Sequence, residues 1–232
     1  MSINLFDAYN LRARTSVVLF YATPFIFDVI VFLGNGITTV EGIVLTVLIL
    51  VTVQCTLHLC RPSRQLYSKN YAAEMLMPDS GIPNITLKRY YRKIAEFEPE
   101  FSEFTKVELN NAQGTITTNL CESVVTWLKA NTRDNKMFRL VYEENINYGF
   151  IRNMYNLKNI GIIFNCIALT LLGIFFFTTF LESSKPTMLL MVIEIATHII
   201  VTVYLFTAIT KKKVEVSAKR YAKALIETID LI

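Results

Sequence analysis

Asp28, Glu194 and His198 are ionisable side chains that stand inside otherwise apolar stretches of this sequence. A titratable group in hydrocarbon faces a bundle interior or a water path, and marks ion routes and proton relays. Glu194 and His198 are four residues apart, so they share one face of a helix with His198 one turn deeper. Asp28 lies in the outer third of its run, at a depth like that of Glu194, and Pro24 four residues earlier frees a backbone carbonyl and kinks that helix. Gln54 and Asn165 fall at matching depths near the inner ends of two further runs. Asp28, Glu194, His198, Asn165 and Gln54 are therefore the expected polar path. The competing readings are hydration of Asp28 and Glu194 at the outer interface, and plain interhelical hydrogen bonding by Gln54 and Asn165.

A second set is basic and aromatic. Lys88, Arg89, Arg92 and Lys93 stand among Tyr90 and Tyr91, and Arg133, Lys136, Arg139 and Arg152 among Tyr142, Tyr148 and Tyr155. Cations on phosphates with rings on bases is how nucleotides and single-stranded nucleic acid are held. Basic and Tyr residues near span ends also anchor in an anionic inner leaflet, which suits Arg152, Tyr155 and Lys158. The candidate ligand set is Arg89, Arg133, Arg139, Tyr148 and Arg152. No enzyme signature is present: both histidines lie in apolar runs, and there is no Gly-rich phosphate loop, Ser nucleophile elbow, zincin motif or aspartyl pair. Cys55, His58 and Cys60 invite a metal reading, but at helical pitch Cys60 leaves the face shared by the other two, so helix packing is expected. The four cysteines show no paired spacing and are expected as free thiols. Neither cofactor nor metal is expected.

The elements that must position these residues are four apolar runs: Val17 to Leu33, Gly42 to Leu59, Ile160 to Leu181 and Thr187 to Ile209. Each is close to the roughly 20 residues that cross a bilayer as a helix, and each is apolar nearly all round. The first lacks a small-residue cleavage site and is followed at once by another run, so it reads as a true span. Positive charge gathers at Arg12 and Arg14, at Arg61, Arg64 and Lys69, at Arg152 and Lys158, and at Lys211 to Lys213, and is nearly absent from GNGITTVE and ESSKP. Positive charge marks the cytoplasmic side. The expected fold class is an all-α membrane protein: four transmembrane helices as two hairpins, N-in and C-in, with a mainly helical cytoplasmic insert between them. The expected divisions are 1–60 for the lead and first hairpin, 61–158 for the sensing insert, 159–210 for the second hairpin, and 211–232 for an amphipathic tail.

Within the insert, helices are expected over Arg64 to Met77, over Thr86 to Phe97 with Thr86 as N-cap, and over Thr118 to Lys129 around Trp127. PDSGIPN and NNAQGT read as loops, Pro99 as a breaker before EFEPEFSEF, and NTRDN as an interruption. From Lys136 one helix is expected to run unbroken into the third apolar run, with Gly149 as a possible hinge. The coupling segment Glu143 to Gly161 sets Tyr148, Arg152, Tyr155 and Asn159 on one face. In the tail, Val214, Ala218, Tyr221, Leu225, Thr228 and Ile232 follow near-heptad steps, which fits a helix packed on the insert or on lipid headgroups, or one that self-associates.

Four helices in one chain cannot both enclose a pore and meet lipid, so a conducting path implies a closed ring of copies, with a tetramer as the simplest guess. Phe175, Phe176 and Phe177 suit lipid contact or a hydrophobic constriction. The layout, with LKANTRD (Leu128 to Asp134) and NYGFIRN (Asn147 to Asn153), resembles the membrane effector of the bacterial Hailong antiphage defence system, and more loosely the SLATT-like four-span effectors. The resemblance implies a homo-oligomeric channel in the bacterial inner membrane, gated by short single-stranded DNA or a nucleotide signal from a partner nucleotidyltransferase. The alternative is a non-conducting membrane sensor or scaffold that recruits a cytoplasmic partner. A proton-coupled transporter using Glu194 and His198 is a third reading, weakened because the hairpins show no internal repeat.

Overall fold

The computed structural model describes residues 8–32, 69–78, 80–99, 101, 118–179 and 185–232. Among the described residues every regular element is helical. In chain order the helices are α1 (Ser16–Phe32), α2 (Tyr71–Met75), α3 (Asn84–Ile94), α4 (Thr118–Asn131), α5 (Arg139–Thr179), α6 (Lys185–Ala208) and α7 (Lys211–Glu227). The second apolar run with Gln54, the Cys55, His58 and Cys60 group, the NNAQGT loop and most of the ESSKP turn lie outside the described residues. The chain divides into two compact units: Met1–Ser63 with Gly149–Val214, and Arg64–Tyr148 with Glu215–Ile232. The tail residues from Glu215 onward thus belong with the insert.

In the first unit, a helical turn (Ala8–Asn10) and a five-residue π-helical turn (Leu11–Thr15) precede α1, which continues through Pro24. The Ser16 N–H reaches back five residues to Leu11 O, and its hydroxyl donates to the same carbonyl at 2.9 Å. Helix α5 runs for 41 residues, about 60 Å at 1.5 Å per residue, and supplies residues to both units. Helix α6 has 24 residues. Both are long and apolar enough to span a membrane, and only 17% and 22% of their most apolar stretches are buried. The core helix of a soluble protein would be mostly buried, whereas Ile163, Ile167, Leu171, Ile174 and Phe177 of α5 stand exposed, as lipid-facing side chains do. Hydroxyls of Thr23, Thr170, Thr178, Thr197 and Thr207 return to carbonyls one turn back, so no donor is left facing hydrocarbon there.

Two glycines let side chains reach the α5 backbone. A Cβ on Gly161 would overlap the Tyr21 ring, whose hydroxyl donates to Met154 O at 2.8 Å. A Cβ on Gly149 would come within 2.7 Å of the Tyr9 hydroxyl. Helix α5 is continuous through Gly149, so the glycine admits a neighbour there and does not interrupt the helix.

The second unit has an ordinary water-excluding core. Leu87, Tyr90, Tyr91 and Ile94 of α3 and Cys121, Val124, Val125 and Leu128 of α4 are buried at three- and four-residue spacing. Helix α7 and the turn after it bring Ala222, Leu225, Ile226 and Ile229 to the same core, so the tail's apolar seam packs on the insert. Burying each such Leu or Ile stabilises by about 1.5–3 kcal/mol relative to exposure. Trp127 stacks on Phe97 with centroids 3.8 Å apart. Helix α3 starts at Asn84 and not at Thr86: Pro83, at φ −54, sits at the N-cap, and the Thr86 N–H already bonds to its carbonyl at 2.8 Å. Gly81 takes φ +81 in the expected loop. Only Tyr71–Met75 of the first expected insert helix is helical among the described residues, capped by Asn70 on the Ala73 N–H. Ahead of α5, the Asp134 carboxylate accepts the Lys136 and Met137 N–H groups at 2.8 and 3.2 Å, which explains why NTRDN interrupts the helices.

Burial pushes the Cys121 thiol from its ordinary 9.0 up to about 12, and raises the Tyr91 hydroxyl, which donates to Leu76 O at 2.6 Å. Between those limits the unfolded chain gives up the thiol proton first, so stability is full below pH 9 and falls as pH rises towards about 12. A chain retaining only Cys121 should resist an aqueous thiol reagent at about pH 8 and lose native Trp127 fluorescence in alkali, with Cys121→Ala shifting that loss to higher pH. Labelling at pH 8 as fast as a small free thiol would contradict this account of burial.

Candidate functional site

Three helices of the first unit meet at one imidazole. His198 of α6 is fully buried. Its Nδ1 lies 2.7 Å from Asn165 Oδ1 on α5, and its Nε2 lies 3.1 and 3.0 Å from the two Asp28 carboxylate oxygens on α1. Both ring nitrogens are thus within hydrogen-bonding distance of a side-chain oxygen, Asn165 at one edge of the ring and Asp28 at the other. The Phe25 ring meets the imidazole edge to face at 5.4 Å. Glu194, one turn before His198, is buried, and neither carboxylate oxygen is hydrogen-bonded among the described residues. Thr202, one turn after His198, keeps a buried hydroxyl that likewise lacks a partner.

The expected path residues Asp28, Asn165, Glu194 and His198 therefore gather around one centre. Asn165 serves His198; matching it by depth with Gln54 missed this contact. Thr202 went unnoticed although the four-residue steps Glu194, His198, Thr202 place it on the same face. Asn153 was missed too: fully buried on α5, it donates from Nδ2 to Ala13 O at 2.8 Å inside the π-helical turn. In the coupling segment the inward residues are Ile146, Asn153, Met154 and Leu157, while Tyr148, Arg152 and Tyr155 are half-buried and Asn159 is exposed. Lys158 donates to Ile209 O at 2.9 Å, where a cation meets the carbonyl end of α6.

The basic candidates do not form one cluster. Arg89 grips Asp230 bidentately at 2.9 and 2.6 Å, and Lys93 donates to Asp230 O at 2.8 Å, so these cations hold the turn after α7 instead of presenting a free phosphate site. The Asp230 carboxylate raises Arg89 further above its ordinary value. Tyr148 stacks on Tyr221 at 6.2 Å within the second unit, whereas Arg152 belongs to the first. Arg133, Lys136 and Arg139 are exposed around the start of α5, with Met137 and Leu140 exposed beside them. Cys121 and Cys166 are free thiols, and no three metal-binding side chains come together among the described residues.

Because Asp28 and His198 hydrogen-bond each other in apolar surroundings, removing one partner should hurt more than removing both. Asp28→Leu or His198→Leu alone should lower stability in detergent by about 3–5 kcal/mol, and the double variant should recover a large part of that. Additive losses across the cycle would show that the two groups are not coupled. No family model, curated protein or solved structure matches the chain.

Proposed function

We propose that the chain is a gated, homo-oligomeric ion channel of the bacterial inner membrane, with the second unit sensing a nucleotide or short single-stranded DNA signal in the cytoplasm. The observation that carries this reading is α5: one unbroken helix holds both the exposed Arg139 end in the sensing unit and Asn165 of the buried ionisable centre. A rigid helix is the economical way to turn a binding event into a change at such a centre. The topology is N-in and C-in with four spans in two hairpins, the second apolar run supplying the fourth. The shared core of insert and tail supports that arrangement, since residues of one core fold in one compartment and the chain between them must cross and return. The exposed apolar faces of α5 and α6 call for lipid and neighbouring copies.

The signal site in this reading centres on Arg133 and Arg139, exposed and close to the start of α5. Arg89 contributes by anchoring the tail turn. A second reading, a non-conducting scaffold, is favoured by the same surface, because Met137 and Leu140 at 64% and 60% exposure beside the cations would suit a protein partner.

The detergent-corrected mass of the purified protein, followed by bilayer conductance with short DNA oligomers and nucleotides as probes, separates the two. The channel reading expects a discrete ring, a tetramer in the simplest case, with probe-dependent conductance. In that assay Arg133→Glu or Arg139→Glu should weaken the response to probe at least several-fold while the protein stays in the membrane. A clean monomer without conductance would move the assignment to the scaffold.

A further inference from the structure

Glu194 is the buried group that the Asp28, His198 and Asn165 contacts leave out. It is 1% exposed, and both carboxylate oxygens lack partners among the described residues. On the same face the hydroxyl of half-buried Thr202 is itself buried and has no partner among the described residues, although Thr197 and Thr207 of the same helix bond to carbonyls one turn back. Steps of four residues give a rise of about 6 Å each, so unsatisfied polar atoms flank the paired imidazole above and below. Buried polar atoms in such positions are ordinarily satisfied by water or by a ligand.

The charge count decides which ligand. Asp28 and His198 already satisfy each other through their hydrogen-bonded contact. An ionised Glu194 beside them adds a negative charge with no hydrogen-bonding partner among the described residues, in apolar surroundings. One added proton removes that charge. The titratable groups that bear on Glu194 among the described residues are Asp28 from α1 and His198 from its own helix, and α5 contributes the uncharged amide of Asn165. A multidentate metal does not fit, because no three ligand groups converge among the described residues.

We propose that Glu194, set against the Asp28 and His198 pair, is a proton-binding site, and that Glu194, His198 and Thr202 form a ladder that carries protons within each copy of the ring. The ladder deepens the channel reading by naming the permeant ion and rests on that reading, whereas proton binding at Glu194 stands without conduction. The proton is taken from water on to a Glu194 carboxylate oxygen and returned to water on release, with no other bond made or broken.

The test uses the full chain in lipid nanodiscs, with infrared spectra recorded from about pH 5 to about pH 9. The expected result is a carboxylic acid C=O band that shifts on deuterium exchange, fades at high pH and is missing from Glu194→Gln. Asp28→Asn should move the pH at which the band fades. A Glu194→Gln spectrum equal to the wild type at every pH, or an unmoved midpoint in Asp28→Asn, overturns the site. Proteoliposomes carrying an internal pH dye, with probe oligomers added, then separate the ladder from the channel reading. Proton flux that Glu194→Gln lowers at least tenfold supports the ladder. Potassium flux with no proton flux overturns the ladder and leaves the channel. No flux of any ion, with the infrared band present, overturns the channel and the ladder and leaves the proton site.

Discussion

One buried imidazole holds three helices of the first unit to a single register. His198 can satisfy both nitrogens only while α1 brings Asp28 to one edge of the ring and α5 brings Asn165 to the other. Sliding any of the three helices by one residue would strand a charge or a donor where no water replaces it. Apolar side chains among lipid tails give little such selectivity, because a leucine meets a lipid chain about as well as another leucine. The other ties in this unit work the same way. Tyr21 on Met154 O, Asn153 on Ala13 O and Lys158 on Ile209 O each carry a polar side chain to a main-chain carbonyl, and Gly161 makes room for the first.

The second unit is held by different physics. Its core of Leu, Ile, Val and aromatic side chains follows the period of amphipathic helices, and its polar contacts are mostly exposed and supplementary. Helix α5 takes part in both regimes, which accounts for its composition. Val141 and Ile146 face a core in the first two turns, Asn153 and Met154 meet the π-helical turn and Tyr21, and from Ile160 onward the outward positions are apolar.

Much of the helical layout was legible in the sequence because period and punctuation are local signals. The α4 helix, the break at NTRDN and the unbroken run into Ile160 follow from spacing, Asp134 and the lack of proline. The start of α3 was misplaced because a good capping side chain at Thr86 counted for more than the backbone preference of Pro83. The ionisable centre was legible in part: charge inside apolar runs singles out Asp28, Glu194 and His198. Which nitrogen meets which oxygen depends on how helices far apart in sequence are rotated, and no local pattern encodes that. Arg89 shows the same limit from the other side, since its type and neighbours fit a ligand and only its partner 141 positions away, Asp230, reveals a structural tie. The π-helical turn left no trace in composition at all.

The shared core of insert and tail also imposes an order on biosynthesis. Residues 215–232 complete that core and are made after both long apolar helices, so the Leu87, Tyr91 and Leu128 faces wait uncovered while α5 and α6 leave the ribosome. At about 5–20 residues per second the wait lasts seconds, long enough for holding factors to bind an open apolar face. A chain stalled before Leu225 would therefore carry its second unit unsealed, and an open apolar face of that kind is what chaperones and proteases act on.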